Sequence, residues 1–316
     1  MTTAGPNYIS GITTATFENT DVVNKSYVDG LSGSLPSQTG NAGEFLTTTD
    51  GVSVSWDYVS NYQEFSTTGS PQTFTVPSQA NILYVEAVGA GGGGSTGTTG
   101  SQLSGTGGSG GSYTSWYIPK PIVTSNITMD IGIGGAGAKT ESTSGSAGAG
   151  TTISWTGPGG TYTLVANGGG AGGVAGIAQT NITSYYYTTA GGSGGIAASG
   201  IGVTATAQAN SFQSTGGGSG AGTPSSAGGA GGSITFYGNT IFSAGGDNTG
   251  SNGAVGIAIT SLPYGFGGGG GGAGASSAGA GGNGTCGGGG GGGAAIGSTF
   301  GNGGNGGDGF VRITWW

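Results

Sequence analysis

The stretch GNGGNGGDG at residues 301–309 decides how this chain can fold. The three residues of this stretch that are not glycine are Asn302, Asn305 and Asp308, and they recur at every third position. The left-handed polyglycine II helix has about three residues per turn, rises about 3.1 Å per residue and has no internal hydrogen bonds. The three polar residues share one edge of such a helix and leave two glycine edges for packing. The spacing therefore predicts an outer helix in a bundle of polyglycine II helices.

A collagen triple helix and a flexible linker both fit this composition less well. Collagen needs a strict Gly-X-Y repeat and Pro at about 15% or more, whereas this chain has 83 Gly but 9 Pro in 316 residues. A flexible linker would not need β-type runs at both ends, and such runs flank the glycine stretches here. Charged residues are 5% of the chain, whereas disordered segments are typically rich in charge. We therefore expect ordered backbone pairing.

Short β-type runs alternate with glycine stretches from about residue 65 onward. Strands are expected at residues 72–77, 82–88, 113–123, 126–133, 151–155, 162–166, 233–237 and 310–316. The predicted fold class is all-β with little α-helix. Residues 63–316 are expected to form a glycine-rich, β-sandwich-like domain with packed polyglycine II helices.

Residues 1–62 have an ordinary glycine content and are predicted to be a separate segment. Residues 22–31 allow either a short helix or an extended stem, and they hold too few apolar side chains to fold alone. Asp50-Gly51 separates two β-prone runs, 44–49 and 52–58, and this pattern predicts a β-hairpin. A lone hairpin is marginal in water, so we expect oligomerisation to support it.

The residue types that are missing argue against enzyme activity. There is no histidine to serve as the usual base for a Ser or Cys nucleophile or as a metal ligand. Cys286, the single cysteine, can form neither an intrachain disulfide nor a thiolate cluster. A net charge of −8 with scattered Lys and Arg does not suit a nucleic-acid groove. We expect no catalytic residues, no cofactor, no metal site and no nucleic-acid partner.

Several motifs imitate functional sites without completing them. Residues 129–140 end in Ala138-Lys139-Thr140, but a phosphate-binding loop requires Gly before the Lys and Gly again where this chain has Ile133. Ser109 and Ser193 both lie in G-x-S-x-G patterns, yet no histidine is present to activate them. Glycan hydrolysis by paired carboxylates stays open as an alternative, because pairing in space cannot be deduced from scattered acids.

Both halves of the chain contain segments that resemble proteins of bacteriophage particles. NKSYVDGL at residues 24–31 and GNAGEFLTTTDGVSVSW at residues 40–56 resemble segments of trimeric phage tail fibres. VEAVGAGGGG at 85–94, LVANGGGAGG at 164–173 and GGNGGDGFVRI at 303–313 resemble the glycine-rich domain of phage and bacterial surface proteins, including adhesins that cap long tail fibres.

The resemblance implies a virion structural protein, a tail fibre or fibre tip that mediates adsorption to the host. It implies a homotrimer whose N-terminal region contacts other tail or fibre proteins and whose distal part contacts a host polysaccharide or outer-membrane protein. The first residues show no secretory signal, so assembly in the host cytoplasm is expected. A non-adhesive decoration or head fibre, and a polysaccharide-cleaving tail spike, are the alternatives.

In the family that the chain resembles, receptor-recognising loops interrupt the glycine helices. The corresponding interruptions here are residues 174–189, 196–215 and 247–266. Aromatic side chains on exposed loops suit sugar stacking or protein contact. An alternative is that they fill gaps in a core that is short of large side chains. The candidate receptor contacts are Tyr185, Tyr186, Tyr187, Phe212, Tyr264 and Phe266.

Overall fold

The computed structural model of the protein describes residues 45–48, 54–57, 61–99, 103–173, 188–189, 214–222, 224–232, 234–236, 239–241, 244–256, 268, 271 and 275–316. The chain divides into two compact units, Met1–Val59 and Ser60–Trp316. Across the described residues the only helical element is one 3-10 turn, Lys120–Ile122, and none of their helices could span a membrane.

The strands of the described residues follow one another along the chain as β1 Phe45–Thr48, β2 Val54–Asp57, β3 Asn61–Phe65, β4 Gln72–Phe74, β5 Ile82–Val88, β6 Tyr113–Pro119, β7 Ile127–Asp130, β8 Thr151–Gly157, β9 Gly160–Ala166, β10 Thr188–Thr189, β11 Ile234–Phe236, β12 Asn239–Ile241, β13 Ala295–Ile296, β14 Thr299–Phe300 and β15 Phe310–Trp315. Every pairing between them is antiparallel. The prediction of an all-β fold is confirmed.

Two sheets of the unit Ser60–Trp316 pack face to face as a sandwich. The larger has the strand order β10-β6-β5-β15-β3, and the smaller has the order β4-β7-β8-β9. Their inner faces share one buried core, because alternate side chains of each strand point to the same face. Its largest fully buried side chains include Phe74, Leu83, Ile118, Met129 and Ile153.

Most predicted strands are present, but three of them end three or four residues earlier than expected. The strand predicted at 113–123 stops at Pro119 and gives way to the 3-10 turn, since Pro121 has no N–H with which to extend a ladder. The strand predicted at 126–133 stops at Asp130, where a glycine segment begins. The strand predicted at 72–77 stops at Phe74.

The unit Met1–Val59 contains the predicted hairpin. β1 and β2 pair with Thr48 opposite Val54, so the connection spans residues 49–53 rather than Asp50-Gly51 alone. The stem predicted at residues 22–31 lies outside the described residues.

Glycine segments leave the sandwich and form a bundle held by backbone hydrogen bonds. Segment 89–96 lies at its centre, and its successive N–H groups donate to three antiparallel segments in rotation. The acceptors are the carbonyls of Ser112, Ser109 and Thr106, then of Ala149, Ser146 and Thr143, and then of Gly307 and Gly304. Because each neighbour recurs at every third residue, the segment has the symmetry of a polyglycine II helix.

Segment 287–294 is a second centre of the bundle. Its N–H groups bond segments 89–96, 214–222 and 278–285, and its carbonyls accept from segments 103–112 and 301–309 and from Gly268 and Gly271. Glycine is required at these positions because the backbones are too close for a side chain. A Cβ on Gly290 would lie 2.0 Å from the carbonyl oxygen of Gly304.

Residues 301–309 form the predicted outer helix. Asn302, Asn305 and Asp308 are exposed, whereas Gly301, Gly304 and Gly307 are buried. The exposed side chains also extend the bundle: Asn305 Oδ1 accepts from the Gly137 N–H and Asp308 Oδ1 from the Gly134 N–H, both at 2.8 Å. Side-chain oxygens thus take the place of backbone carbonyls at the edge of the bundle.

Candidate functional site

The glycine segments bring three turns to one end of the bundle, here named the distal turns. They are residues 97–103, of which 97–99 and 103 are described, residues 140–143, and the β13–β14 turn at 296–299. The first two turns join a segment that leaves a strand of the sandwich to the segment that returns to the next strand, whereas the β13–β14 turn joins segment 287–294 to segment 301–309, which leads into β15. They lie at the same end because their segments pair in register, with the Thr96 N–H bonded to Thr143 and the Gly293 N–H bonded to Ser95.

Hydrogen bonds tie the first two distal turns together. The Thr99 N–H donates to Glu141 Oε1 at 2.7 Å, and the Ser142 hydroxyl donates to Thr98 Oγ1 at 2.8 Å. The hydroxyl and N–H of Thr99 lower the pKa of Glu141 below its usual value. Leu103, which closes a β-bridge with Thr98, is 41% exposed. The distal turns therefore offer a fixed surface with both polar and apolar groups.

The chain enters this unit at the opposite end of the domain. β3 runs antiparallel to β15, with Asn61 opposite Trp315 and Phe65 opposite Val311. Since β15 follows directly on segment 301–309, Phe65 lies at the bundle side and Asn61 at the far side of the sandwich. With rises of about 3.1 Å per residue in the bundle and about 3.3 Å in the strands, roughly 45 Å separate Asn61 from the distal turns.

The six aromatic residues proposed from the sequence as receptor contacts, Tyr185, Tyr186, Tyr187, Phe212, Tyr264 and Phe266, all lie outside the described residues. The structure describes the two residues that follow the tyrosine run. Thr188 and Thr189 form β10, which pairs with Thr114 and Tyr113 of β6 at an edge of the larger sheet.

A group of aromatic side chains that the sequence did not indicate covers the outer face of the larger sheet. This surface, here named the aromatic face, consists of Tyr62, Tyr84, Tyr117 and Trp316. Tyr62 is 63% exposed, Tyr117 is 59% exposed and Trp316 is 44% exposed. The rings of Tyr84 and Tyr117 stack at 4.5 Å, and Trp316 meets Tyr117 edge-on at 6.3 Å.

A row of charged residues crosses the same sheet beside the aromatic face. Arg312 on β15 lies opposite Glu64 of β3 on one side and Glu86 of β5 on the other. Its Nη2 donates to Glu64 Oε1 at 2.7 Å, and its guanidinium lies 5.6 Å from the centre of the Tyr62 ring. The row therefore places two carboxylates and one cation within reach of the rings.

Glu86 has an environment different from that of Glu64. It accepts a hydrogen bond from the Tyr113 hydroxyl at 2.8 Å, and the Tyr113 hydroxyl in turn lies 3.2 Å from that of Tyr84. Burial raises the pKa of Glu86, while the hydrogen bond from Tyr113 and the charge of Arg312 act against the increase. Burial also raises the pKa of Tyr113, and Tyr84 and Glu86 add to the effect.

The G-x-S-x-G motif at Ser109, one of the motifs that imitate active sites, has a structural role. Ser109 is fully buried, and its Oγ accepts from the Gly170 N–H at 2.6 Å, so this hydroxyl holds two glycine segments together. Ser193 lies outside the described residues. Among the described residues no group of three His, Cys, Asp or Glu side chains could hold a metal ion.

Cys286 lies on the wall of an open groove of about 660 Å³ that Thr285, Asn305, Asp308 and Phe310 also line. It occupies a turn with a φ of 39°, and burial raises the pKa of its thiol above the usual value. A raised pKa disfavours the thiolate that a nucleophile requires.

The sandwich and its bundle define a β-domain whose close backbone packing requires glycine. A family model described as glycine-rich domain matches residues 66–316. The chain therefore belongs to the glycine-rich domain family. No curated protein matches the sequence.

Proposed function

We propose that this chain is a bacteriophage virion structural protein, a tail fibre or fibre tip that mediates adsorption to the host cell surface. The observation that carries the proposal is the polarity of the unit Ser60–Trp316. The chain enters at Asn61, and the distal turns lie at the other end of the domain. A protein that is attached at one end and presents turns at the other suits an appendage.

The bundle gives physical support to this function. Each central segment is bonded to neighbours in six directions, so the distal turns rest on a scaffold that has few degrees of freedom. Rigid presentation of a binding surface lowers the entropy that is lost on association. The same backbone pairing leaves the turns free to vary in sequence, because few of their side chains are needed for the core.

The proposal includes partners and a location. The protein is a homotrimer in the virion, and its N-terminal region binds other tail or fibre proteins. Its distal part contacts a host polysaccharide or outer-membrane protein. The fibre-like segments at residues 24–31 and 40–56 support the first assignment, and the resemblance of residues 85–94, 164–173 and 303–313 to the glycine-rich domain of phage and bacterial surface proteins supports the second. No catalysis, cofactor or nucleic acid has a part in this function.

Adsorption experiments test the adhesive role. Purified full-length protein is labelled and added to cells of the host, and phage adsorption is then measured with and without an excess of the protein. Saturable binding and blocked adsorption are expected. Leu103→Asp at the distal turns should weaken both, whereas Ile133→Asp, at a side chain that is 54% exposed elsewhere, should not. Absence of binding and of blocking would leave a non-adhesive decoration as the better description.

A further inference from the structure

We propose that the aromatic face is a lateral binding site for a neutral, hexose-containing glycan. It is separate from the distal turns, since Tyr62, Tyr84 and Tyr117 belong to the strands of the sandwich. The inference concerns the side of the domain and does not depend on the adhesive role of its tip.

The rings are arranged as platforms for sugar rings. The hydrophobic C–H face of a hexose packs against an exposed aromatic ring, and a ring with a polar tip combines this contact with hydrogen bonding. Tyr117 stacks on Tyr84 and is itself 59% exposed, so its ring is supported from one side and open to solvent. Tyr62, on the other side of β15, presents a second exposed ring, which has the Arg312 guanidinium 5.6 Å from its centre. A chain of sugars that crosses the sheet would meet both.

Polar groups for the sugar hydroxyls lie beside these platforms. Glu64 and Arg312 form an ion pair that remains partly accessible, with side chains 39% and 16% exposed. Glu86 and the hydroxyls of Tyr84 and Tyr113 form a connected set of hydrogen-bonding groups. Carboxylate and guanidinium groups accept from and donate to hydroxyls, and their fixed positions would select the orientation of the ligand.

The size of the face favours a glycan over a protein partner. The four strands β6, β5, β15 and β3 at about 4.8 Å spacing, with about six residues each, give a face of roughly 400 Å². A stable protein interface takes about 800 Å² from each partner. The four rings of the aromatic face occupy only part of these strands, and a few sugar units would cover that part.

Charge favours a neutral ligand. The polar row contains two carboxylates and one guanidinium, and the whole chain carries a net charge of −8. An acidic polysaccharide or a nucleic acid would be repelled by this balance, because binding of such polymers depends on clustered Lys and Arg. A neutral polymer meets no such penalty.

Affinity electrophoresis of the full-length protein tests the site. Native gels contain dextran, yeast mannan or galactomannan as neutral hexose polymers, or polygalacturonate as an acidic one. We expect at least one neutral polymer to retard the protein and polygalacturonate not to do so. Tyr117→Ala combined with Tyr62→Ala should raise the apparent dissociation constant about tenfold or more. Tyr117→Phe alone should retain most of the retardation because it keeps the ring.

Ile133→Ala serves as the matched control, since Ile133 is similarly exposed but lies on a glycine segment of the bundle. Thermal unfolding verifies that each variant is folded. The proposal is overturned if none of the three neutral polymers retards the wild type, or if the double tyrosine variant is retarded as strongly as the wild type. If Leu103→Asp loses retardation and the double tyrosine variant keeps it, glycan binding would instead lie at the distal turns.

Discussion

Thr151 joins the sandwich to the bundle through a single buried hydroxyl. Its Oγ1 donates to the carbonyl of Val88 at 2.7 Å and accepts from the N–H of Gly132 at 3.1 Å. Thr151→Val keeps the shape but leaves both groups unsatisfied, so we expect a loss of about 1–3 kcal/mol of unfolding free energy. Chemical denaturation of the wild type and the variant measures this difference in unfolding free energy. Thr152→Val, at the half-exposed neighbouring position, is the control and should change stability by less.

Glu86 should make the stability of the protein depend on pH. Because burial raises its pKa in the folded state, its stabilising contribution is complete below its ordinary value of 4.5 and is lost as pH rises through the raised value. Glu86→Gln can still accept from the Tyr113 hydroxyl but carries no charge. We therefore expect its melting temperature to exceed that of the wild type at pH 7 and the difference to shrink by pH 4.

Scanning calorimetry of both proteins over this pH range provides the measurement. Comparison with the wild type cancels the contributions of other acids, such as Asp247, whose pKa Thr249 and Ser251 lower to about 2. A difference in melting temperature that is constant with pH would contradict the assignment of a raised pKa to Glu86.

Among elements, the outer helix at residues 301–309 offers a test of the threefold geometry. A Cβ on Gly304 would lie 2.0 Å from the carbonyl oxygen of Gly282, so Gly304→Ala should cost about 3 kcal/mol or more. Asn302 is exposed on the open edge, and Asn302→Ala should change stability by about 0.5 kcal/mol or less. Denaturation curves that show the same loss of unfolding free energy for Gly304→Ala and Asn302→Ala would be inconsistent with a packed helix.

Many of the strands and the exposed edge of the outer helix could be predicted from the sequence, since they depend on local patterns. The strand at Ile82–Val88 has the predicted bounds, and Asn302, Asn305 and Asp308 are on the exposed edge as their spacing indicates. The partners of each glycine segment could not be predicted, because glycine carries no side-chain pattern that distinguishes one neighbour from another.

The aromatic face could not be predicted either, because its residues are brought together only by the pairing of distant strands. Its rings lie on β3, β5 and β6 and at the end of the chain, and the ion pair of its polar row joins Glu64 to Arg312 across most of the unit. Only the pairing of β15 between β3 and β5 brings these residues together. The local pattern of Ile82–Val88 does not reveal this face, because the alternation of its apolar and polar residues is incomplete, although Tyr84 and Glu86 lie between buried residues.

At the scale of the unit Ser60–Trp316, strands of the sandwich continue directly into segments of the bundle at several places among the described residues. β5 continues into segment 89–96, β7 into segment 131–139, and segment 301–309 into β15. Strands that hold the sandwich together therefore end in segments that hold the bundle together. We expect the two parts to unfold in one cooperative transition.

The tryptophans allow this expectation to be tested, because Trp116, Trp155, Trp315 and Trp316 belong to the sandwich and Trp56 to the hairpin. Gly290→Ala places its clash in the centre of the bundle, 2.0 Å from the carbonyl oxygen of Gly304. A loss of about 3 kcal/mol would lower the melting temperature by about 6–12 °C in a domain of this size. If the unit is cooperative, tryptophan fluorescence and far-UV circular dichroism should report the same decrease. An unchanged fluorescence transition would mean that the sandwich folds independently of the bundle. The bundle, which carries the distal turns, could then unfold while the sandwich stays folded.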